Sequence, residues 1–236
     1  MPERVICYMH IPKCGGTTMR DLAELYVKDG SEIFDCYWAV PGKTIEDLLW
    51  MSDKERERIK LLYGHFFFGT HKLFERPASY MTVLREPVSR VMSQYRFQYL
   101  RTNEGAPTPS SAMQHFKSVL CSGDFQYNNL AARMISGFGP SERTDAELLE
   151  TALSNIDKHF SFVGALEDVE LDQKLRHLLA ETQSLRPVKT ELLRKNVNSH
   201  VLPQPDEELF ELIESRNKAD LQLYARLVGA PEMRGN

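Results

Sequence analysis

"HIPKCGGTT", His10 to Thr18, follows the apolar run Val5-Ile6-Cys7-Tyr8-Met9. A strand covered on both faces runs here into a turn of glycines, hydroxyls and one lysine. Periodic apolar residues from Met19 to Val27 predict a helix directly after the turn. A strand–loop–helix unit presents free backbone N–H groups and the positive end of a helix dipole at its loop. Gly15 and Gly16 allow close approach of an anion, Thr17 and Thr18 add hydroxyl donors, and Lys13 adds a full charge. In the nucleotide-binding P-loop, G-x-x-x-x-G-K-[ST], the lysine follows the glycines. Here it precedes them, so the loop is an anion cradle of a different order. The plainer alternative is a Gly-Gly turn with a solvated lysine; the flanking strand and helix favour the cradle.

Further strands are predicted at 33–38, 61–63, 80–84 and Phe160–Ala165, and several are nearly continuous in apolar residues. Helical periodicity lies between them. Residues 44–59 form one candidate helix. Pro87 opens another, with Val88, Val91, Met92, Tyr95 and Tyr99 at 3–4 residue spacing. Thr144-x-x-Glu147 is a capping box before Leu148 and Leu149. Residues 171–179 predict a helix, and 206–228 a long final one. Residues 102–111 and 185–205, rich in Pro and polar residues, predict loops. Strands alternating with helices imply an α/β fold: a P-loop-like three-layer arrangement of helices around a mostly parallel sheet. No repeat or linker divides the chain, so residues 1–236 are expected to form one domain.

Composition narrows the function. Hydrophobic content is 42% and charged content 26%, ordinary values for a globular fold. A net charge of −4 gives no overall pull toward nucleic acid or anionic lipid, so any anion site is local. No run approaches the roughly 20 apolar residues of a membrane span, and Arg4 to Met9 is too short for a signal-peptide core. Cys7, Cys14, Cys36 and Cys121 match neither zinc-ligand nor dense disulfide spacing. Reduced thiols and a cytoplasmic location are the expectation.

A second anion element lies in "TVLREPVSRVMSQYRF", Thr82 to Phe97. A buried strand ends at Leu84, and Arg85 falls at the carboxyl edge of the sheet, where open α/β folds bind ligands. An arginine fork with a helix hydroxyl, Ser93, suits a terminal phosphate. The competing possibility is that Arg85 pairs with Glu86. Two anion elements at strand ends imply a ligand with two separated anionic groups. Seven histidines are present, in no zinc-ligand arrangement, so no metal is expected. His65 follows a predicted strand end and is the candidate base; His10, its rival, is expected to face away from the loop. Glu167 and Asp168 after the 160–166 run could serve as the acidic element of a magnesium-dependent kinase.

"HIPKCGGTT" and "VLREPVSRVMSQYRF" resemble the two nucleotide motifs of the sulfotransferases related to heparan sulfate 2-O-sulfotransferase. These use 3′-phosphoadenosine-5′-phosphosulfate (PAPS). The resemblance implies that Lys13, Gly15, Gly16, Thr17 and Thr18 cradle the phosphosulfate, that Arg85 and Ser93 hold the 3′-phosphate, and that Lys13 stabilises the leaving oxygen. "YGHFFFG", Tyr63 to Gly69, resembles the segment carrying the catalytic histidine, which gives that role to His65. "NNLAARMISG", "FVGALEDVELDQKL" and "ELIESRNKADLQLYARL" resemble further family segments, so the likeness spans nearly the whole chain. Cys14 stands where threonine is more usual. The basic "LLRKNVNSH" offers Arg194, Lys195 and Asn196 as candidates for closing over the nucleotide. The implied activity is sulfuryl transfer from PAPS, without metal, to an acceptor hydroxyl that could belong to a saccharide. Trp38, Trp50, Tyr63 and Phe66 to Phe68 could stack on a sugar or pack the core. The alternatives are a magnesium-dependent nucleotide or small-molecule kinase and a non-catalytic nucleotide-binding module.

Overall fold

All five residues of β1 (Val5–Met9) are buried, because the strand runs through the middle of the sheet. The computed structural model describes residues 4–16, 19–21, 30–102, 109–183 and 205–229. Five strands, β1, β2 (Ile33–Cys36), β3 (Leu61–Gly64), β4 (Ala78–Leu84) and β5 (Phe160–Ala165), form one sheet in the order β2-β3-β1-β4-β5. Every pairing is parallel. Alternation along β1 feeds two cores: Val5, Cys7 and Met9 join one apolar cluster, while Ile6 and Tyr8 join another on the opposite face.

Between β2 and β3 lie α1 (Ile45–Trp50) and α2 (Asp53–Arg56). The single helix expected over 44–59 is thus two short ones. Met51 turns extended, and Ser52 starts again as an N-cap whose hydroxyl accepts from Glu55 N. After β4 come α3 (Pro87–Thr102), α4 (Pro109–Cys121), α5 (Leu130–Ser136) and α6 (Asp145–His159), then β5. The chain continues through α7 (Leu171–Gln183), α8 (Glu207–Arg216) and α9 (Lys218–Val228). The long final helix expected over 206–228 is broken at Asn217, which is fully buried and hydrogen-bonded on both sides. The end of the 102–111 loop is instead the first turn of α4, with Pro109 at its start.

One face of the sheet is covered by α5, α6 and α9 through Leu130, Met134, Leu148, Ala152 and Leu223. The other carries Leu171 and Leu175 of α7 and Met19, within the helical residues 19–21 that succeed the glycine loop. A third cluster ties α3 to α4 and α8 through Val91, Tyr95, Phe116 and Ile213. Because the strands are parallel, the loops after β1, β3, β4 and β5 all leave these layers at one edge of the sheet. Among the described residues no helix is long and apolar enough to cross a membrane.

Candidate functional site

The backbone after β1 is bent by two residues in the left-handed region, Lys13 (φ +71°) and Gly15 (φ +75°). Positive φ is uncommon outside glycine, and at Lys13 it re-aims successive amides in a short loop, as in anion-binding nests. The Cys14 N–H donates to Ile11 O at 3.1 Å, whereas the N–H groups of Lys13 and Gly15 have no acceptor among the described residues. Gly16 is required for a different reason. A Cβ there would lie 1.9 Å from the His10 ring. The Tyr63 hydroxyl of β3 donates to Gly16 O and holds the loop from the sheet side.

His10 therefore does not face away from the loop, as its position at a strand end suggested; its imidazole is the floor beneath Gly16. Its N–H bonds Gly64 O at 2.8 Å, which carries the β1–β3 pairing one residue further and turns the ring inward. Burial, then His65, then Lys13 push the His10 pKa well below the ordinary histidine value, so the ring is neutral. Its Nδ1 is buried without a partner among the described residues.

His65 lies beside it, with ring centroids 4.7 Å apart. His65 Nδ1 is 2.7 Å from the His10 carbonyl oxygen. A carbonyl only accepts, so Nδ1 carries the hydrogen and Nε2 keeps its lone pair. Burial lowers the His65 pKa, with the His10 carbonyl working the other way. The arrangement is a neutral imidazole in a fixed tautomer, suited to accept a proton at Nε2. Trp38, with centroids 5.3 Å away, and Tyr37, at 5.4 Å edge-on, flank the same ring. Trp38 in turn contacts Phe67 and Phe125. Of the other aromatics considered for a sugar, Tyr63 and Phe66 are core residues, Phe68 packs half-buried against that core, and Trp50 is 89% exposed on α1.

Arg85 meets the first loop directly: its Nη1 donates to the Lys13 carbonyl at 3.3 Å. It has no carboxylate partner among the described residues. Glu86 is otherwise engaged, its two oxygens accepting from Val88 N at 2.9 Å and Ser89 N at 2.7 Å as the cap of α3. Ser93 is half-buried two turns into α3. The Lys13 ammonium rests 4.0 Å from the centre of the Phe97 ring, one turn beyond Ser93. Burial lowers the Lys13 pKa, followed by the charges of Arg85 and, more weakly, Arg96, with Cys14 opposing. The sequence reading missed Arg96 and Phe97; their only signal was i+3 and i+4 spacing from Ser93.

Glu167 and Asp168 do not form an open acidic pair. Glu167 accepts from Glu86 N at 3.2 Å and from the Tyr224 hydroxyl at 3.0 Å. Asp168 takes Glu170 N at 2.9 Å and Lys174 at 2.7 Å. Lys13, Gly15, Gly16, Arg85 and His65 are thus gathered on one edge, with Ser93 further along α3. Thr17, Thr18, Arg194, Lys195 and Asn196 lie outside the described residues. A family model described as the sulfotransferase family matches residues 1–225 of the 236, and the chain belongs to that family. No curated protein matches the chain significantly.

Proposed function

We propose that this sulfotransferase uses PAPS as donor, with residues 1–236 acting as one catalytic domain, and that its acceptor hydroxyl belongs to a saccharide. The carrying observation is the join between the two anion elements: Arg85, after β4, donates to the Lys13 carbonyl, after β1, at 3.3 Å. The switch between neighbouring strands of an open parallel sheet is the usual ligand crevice. When bound, PAPS supplies a sulfuryl group on a good phosphate leaving group. The amides of Lys13 and Gly15, without an acceptor among the described residues, would with Gly16, Thr17 and Thr18 hold the phosphosulfate, and Arg85 and Ser93 the 3′-phosphate. His65 Nε2 would take the proton of the acceptor hydroxyl as its oxygen bonds to sulfur. The sulfur–oxygen bond to the 5′-phosphate breaks in that step, and Lys13 offsets the charge on the departing oxygen. Arg194, Lys195 and Asn196 remain candidates for closing over the nucleotide. The relation to heparan sulfate 2-O-sulfotransferase rests on the shared motifs. It supports the saccharide acceptor, as does the half-buried ring of Trp38 beside His65, with Phe67 stacked on Trp38 against the core. Cys7, Cys14 and Cys36 are buried free thiols, in keeping with a proposed cytoplasmic location.

Calorimetric titration tests the donor. Adenosine 3′,5′-bisphosphate should bind with no metal added, and Mg-ATP weakly. Tight Mg-ATP binding with none for the bisphosphate would replace this proposal with the kinase. The capping roles of Glu167 and Asp168 weigh against that outcome.

A further inference from the structure

The N-terminus of α3 faces the ligand edge, and a helix start ordinarily lends its N–H groups to phosphate. In this chain those groups are taken. Glu86 accepts from Val88 N and Ser89 N, and Glu167 accepts from Glu86 N. Two carboxylates thus stand where a phosphate would otherwise sit. Their formal charge of −2 cancels the two cations already assigned to the site, Lys13 and Arg85. A bisphosphate carrying several negative charges would gain little from such a balance, so a further cation is needed nearby.

We propose that Arg96 is that cation, a third charged ligand of the nucleotide that grips the 3′-phosphate together with Arg85 and Ser93. This rests on the PAPS assignment and extends it to a residue outside the two motif positions. Arg96 follows Ser93 by three residues on α3, and residues so spaced share a helix face. Side chains on a helix lean toward its N-terminus, which carries a long arginine back over Ser93. Arg96 is half-buried, and its Nε is sealed from solvent with no hydrogen-bond partner among the described residues. It makes no ion pair among the described residues. Lys13 reaches the same stretch of helix, its ammonium 4.0 Å from the centre of the ring of the next residue, Phe97. The charges of both Arg85 and Arg96 act on Lys13, and none of the three has a carboxylate ion-pair partner among the described residues. A phosphate accepting from Arg96 would satisfy the orphaned nitrogen and complete the charge balance. The buried Arg90 does not fill this role, being 1% exposed and bonded to Gln126 O at 3.1 Å.

The test compares adenosine 3′,5′-bisphosphate with 5′-AMP, which lacks the 3′-phosphate, on wild type, Arg96→Gln and Arg96→Lys, each checked for a native melting curve. Wild type should prefer the bisphosphate. Arg96→Gln should lose roughly 10- to 150-fold in bisphosphate affinity, the range for a charge-assisted bidentate contact, and little for 5′-AMP. Arg96→Lys, keeping the charge without the fork, should fall between. An Arg96→Gln protein with undiminished preference for the bisphosphate overturns the role of Arg96 alone. Equal loss for both nucleotides overturns the assignment to the 3′-phosphate. A wild type that does not prefer the bisphosphate overturns the PAPS assignment instead, and this proposal with it.

Discussion

Two regions of the molecule bury polar groups and treat them in opposite ways. Where α5 meets α9, the starts of the two helices cap each other. Asp220 of α9 accepts from Ala131 N at 3.1 Å and Ala132 N at 2.8 Å, while Asn129, before α5, accepts from Ala219 N at 2.8 Å and Asp220 N at 3.1 Å. Asn217 accepts from Asn129 N and donates to Tyr127 O and Ile213 O. Arg133 bonds the carbonyls of Asn128, Gly139 and Ser141. Around the ligand edge, His10 Nδ1, Trp38 Nε1 and, on α3, Arg96 Nε have no partner among the described residues. Buried polar groups are normally satisfied because leaving one unpaired costs about 1–3 kcal/mol. The cap junction follows that rule and reads as architecture. The ligand edge departs from it, as groups held for a ligand would; Tyr8 Oη, Arg76 Nε and Gln94 Oε1 are unpartnered elsewhere among the described residues.

The sharpest way to break this contrast is His65→Ala. If the edge serves chemistry, the variant should fold and bind adenosine 3′,5′-bisphosphate normally, yet lose roughly 10²–10⁴-fold in turnover, the usual contribution of a positioned base. Steady-state assays with PAPS and a reactive hydroxyl acceptor read this directly, and full turnover would return His65 to the architectural class. The pH profile carries the same information. Burial lowers the pKa of His65 below the ordinary 6.5, so the wild-type rate should hold through pH 6.5 and fall only at lower pH, as Nε2 takes up a proton. Stability moves in the same direction. His10 and His65 both have folded-state pKa values below the unfolded value of 6.5. The unfolded chain therefore binds protons first as pH drops beneath about 6.5, and stability declines from there down to the folded pKa values.

Next in size is Asp220→Ala, which should do the reverse. It strips two buried N–H groups of α5 of their acceptor, and it removes the carboxylate whose charge opposes the effect of burial on Arg90. The expected loss is about 2–4 kcal/mol of stability by chemical denaturation, from the cap and the orphaned donors together. Nucleotide affinity of the folded fraction should stay at wild-type level. Weakened binding at full stability would erase the distinction between the two regions.

How much of this was legible in the sequence depends on the range of the forces involved. The strands were readable because both faces of β1, β3 and β4 are buried, which writes continuous apolar runs such as Val5 to Met9. The glycine loop and Arg85 were readable because a strand end fixes where they emerge. The break at Ser52 was written locally as Ser52-x-x-Glu55 and was overlooked. The break at Asn217 was not readable, because it is stabilised by Asn129 and Tyr127, some 90 positions away. The inward turn of His10 depends on Gly64 and Gly16 together, a tertiary fact. "NNLAARMISG" and "ELIESRNKADLQLYARL" looked like family segments of unstated role; their pairing through Asn129, Asn217 and Asp220 identifies them as architecture.

Arg85→Ala comes third in magnitude. Its guanidinium has a single acceptor among the described residues, the Lys13 carbonyl, so its removal should cost little stability. Preference for adenosine 3′,5′-bisphosphate over 5′-AMP should fall by roughly 10- to 150-fold, as expected for a lost bidentate phosphate contact. An unchanged ratio in competition calorimetry would remove Arg85 from the ligand side of the comparison.

The smallest effect is also the one that joins the two regions, because Glu86 belongs to both. It is a cap by its bonds to Val88 N and Ser89 N, and a ligand-site charge by its place between Arg85 and the start of α3. In Glu86→Gln the amide oxygen still accepts from one N–H, so the helix should lose only about 0.5–1 kcal/mol. The negative charge disappears from beside the phosphate site. A half-buried charge near a bound anion is worth on the order of 0.5–1 kcal/mol at moderate salt, or about 2- to 5-fold in affinity. The variant should therefore be slightly less stable yet bind adenosine 3′,5′-bisphosphate slightly more tightly, with the gain shrinking as salt is added. Paired melting curves and titrations at two ionic strengths check both signs. Loss of stability with no gain in binding would make Glu86 a cap alone and place the 3′-phosphate away from the start of α3. A gain that persists at high salt would point to a released contact rather than a removed charge.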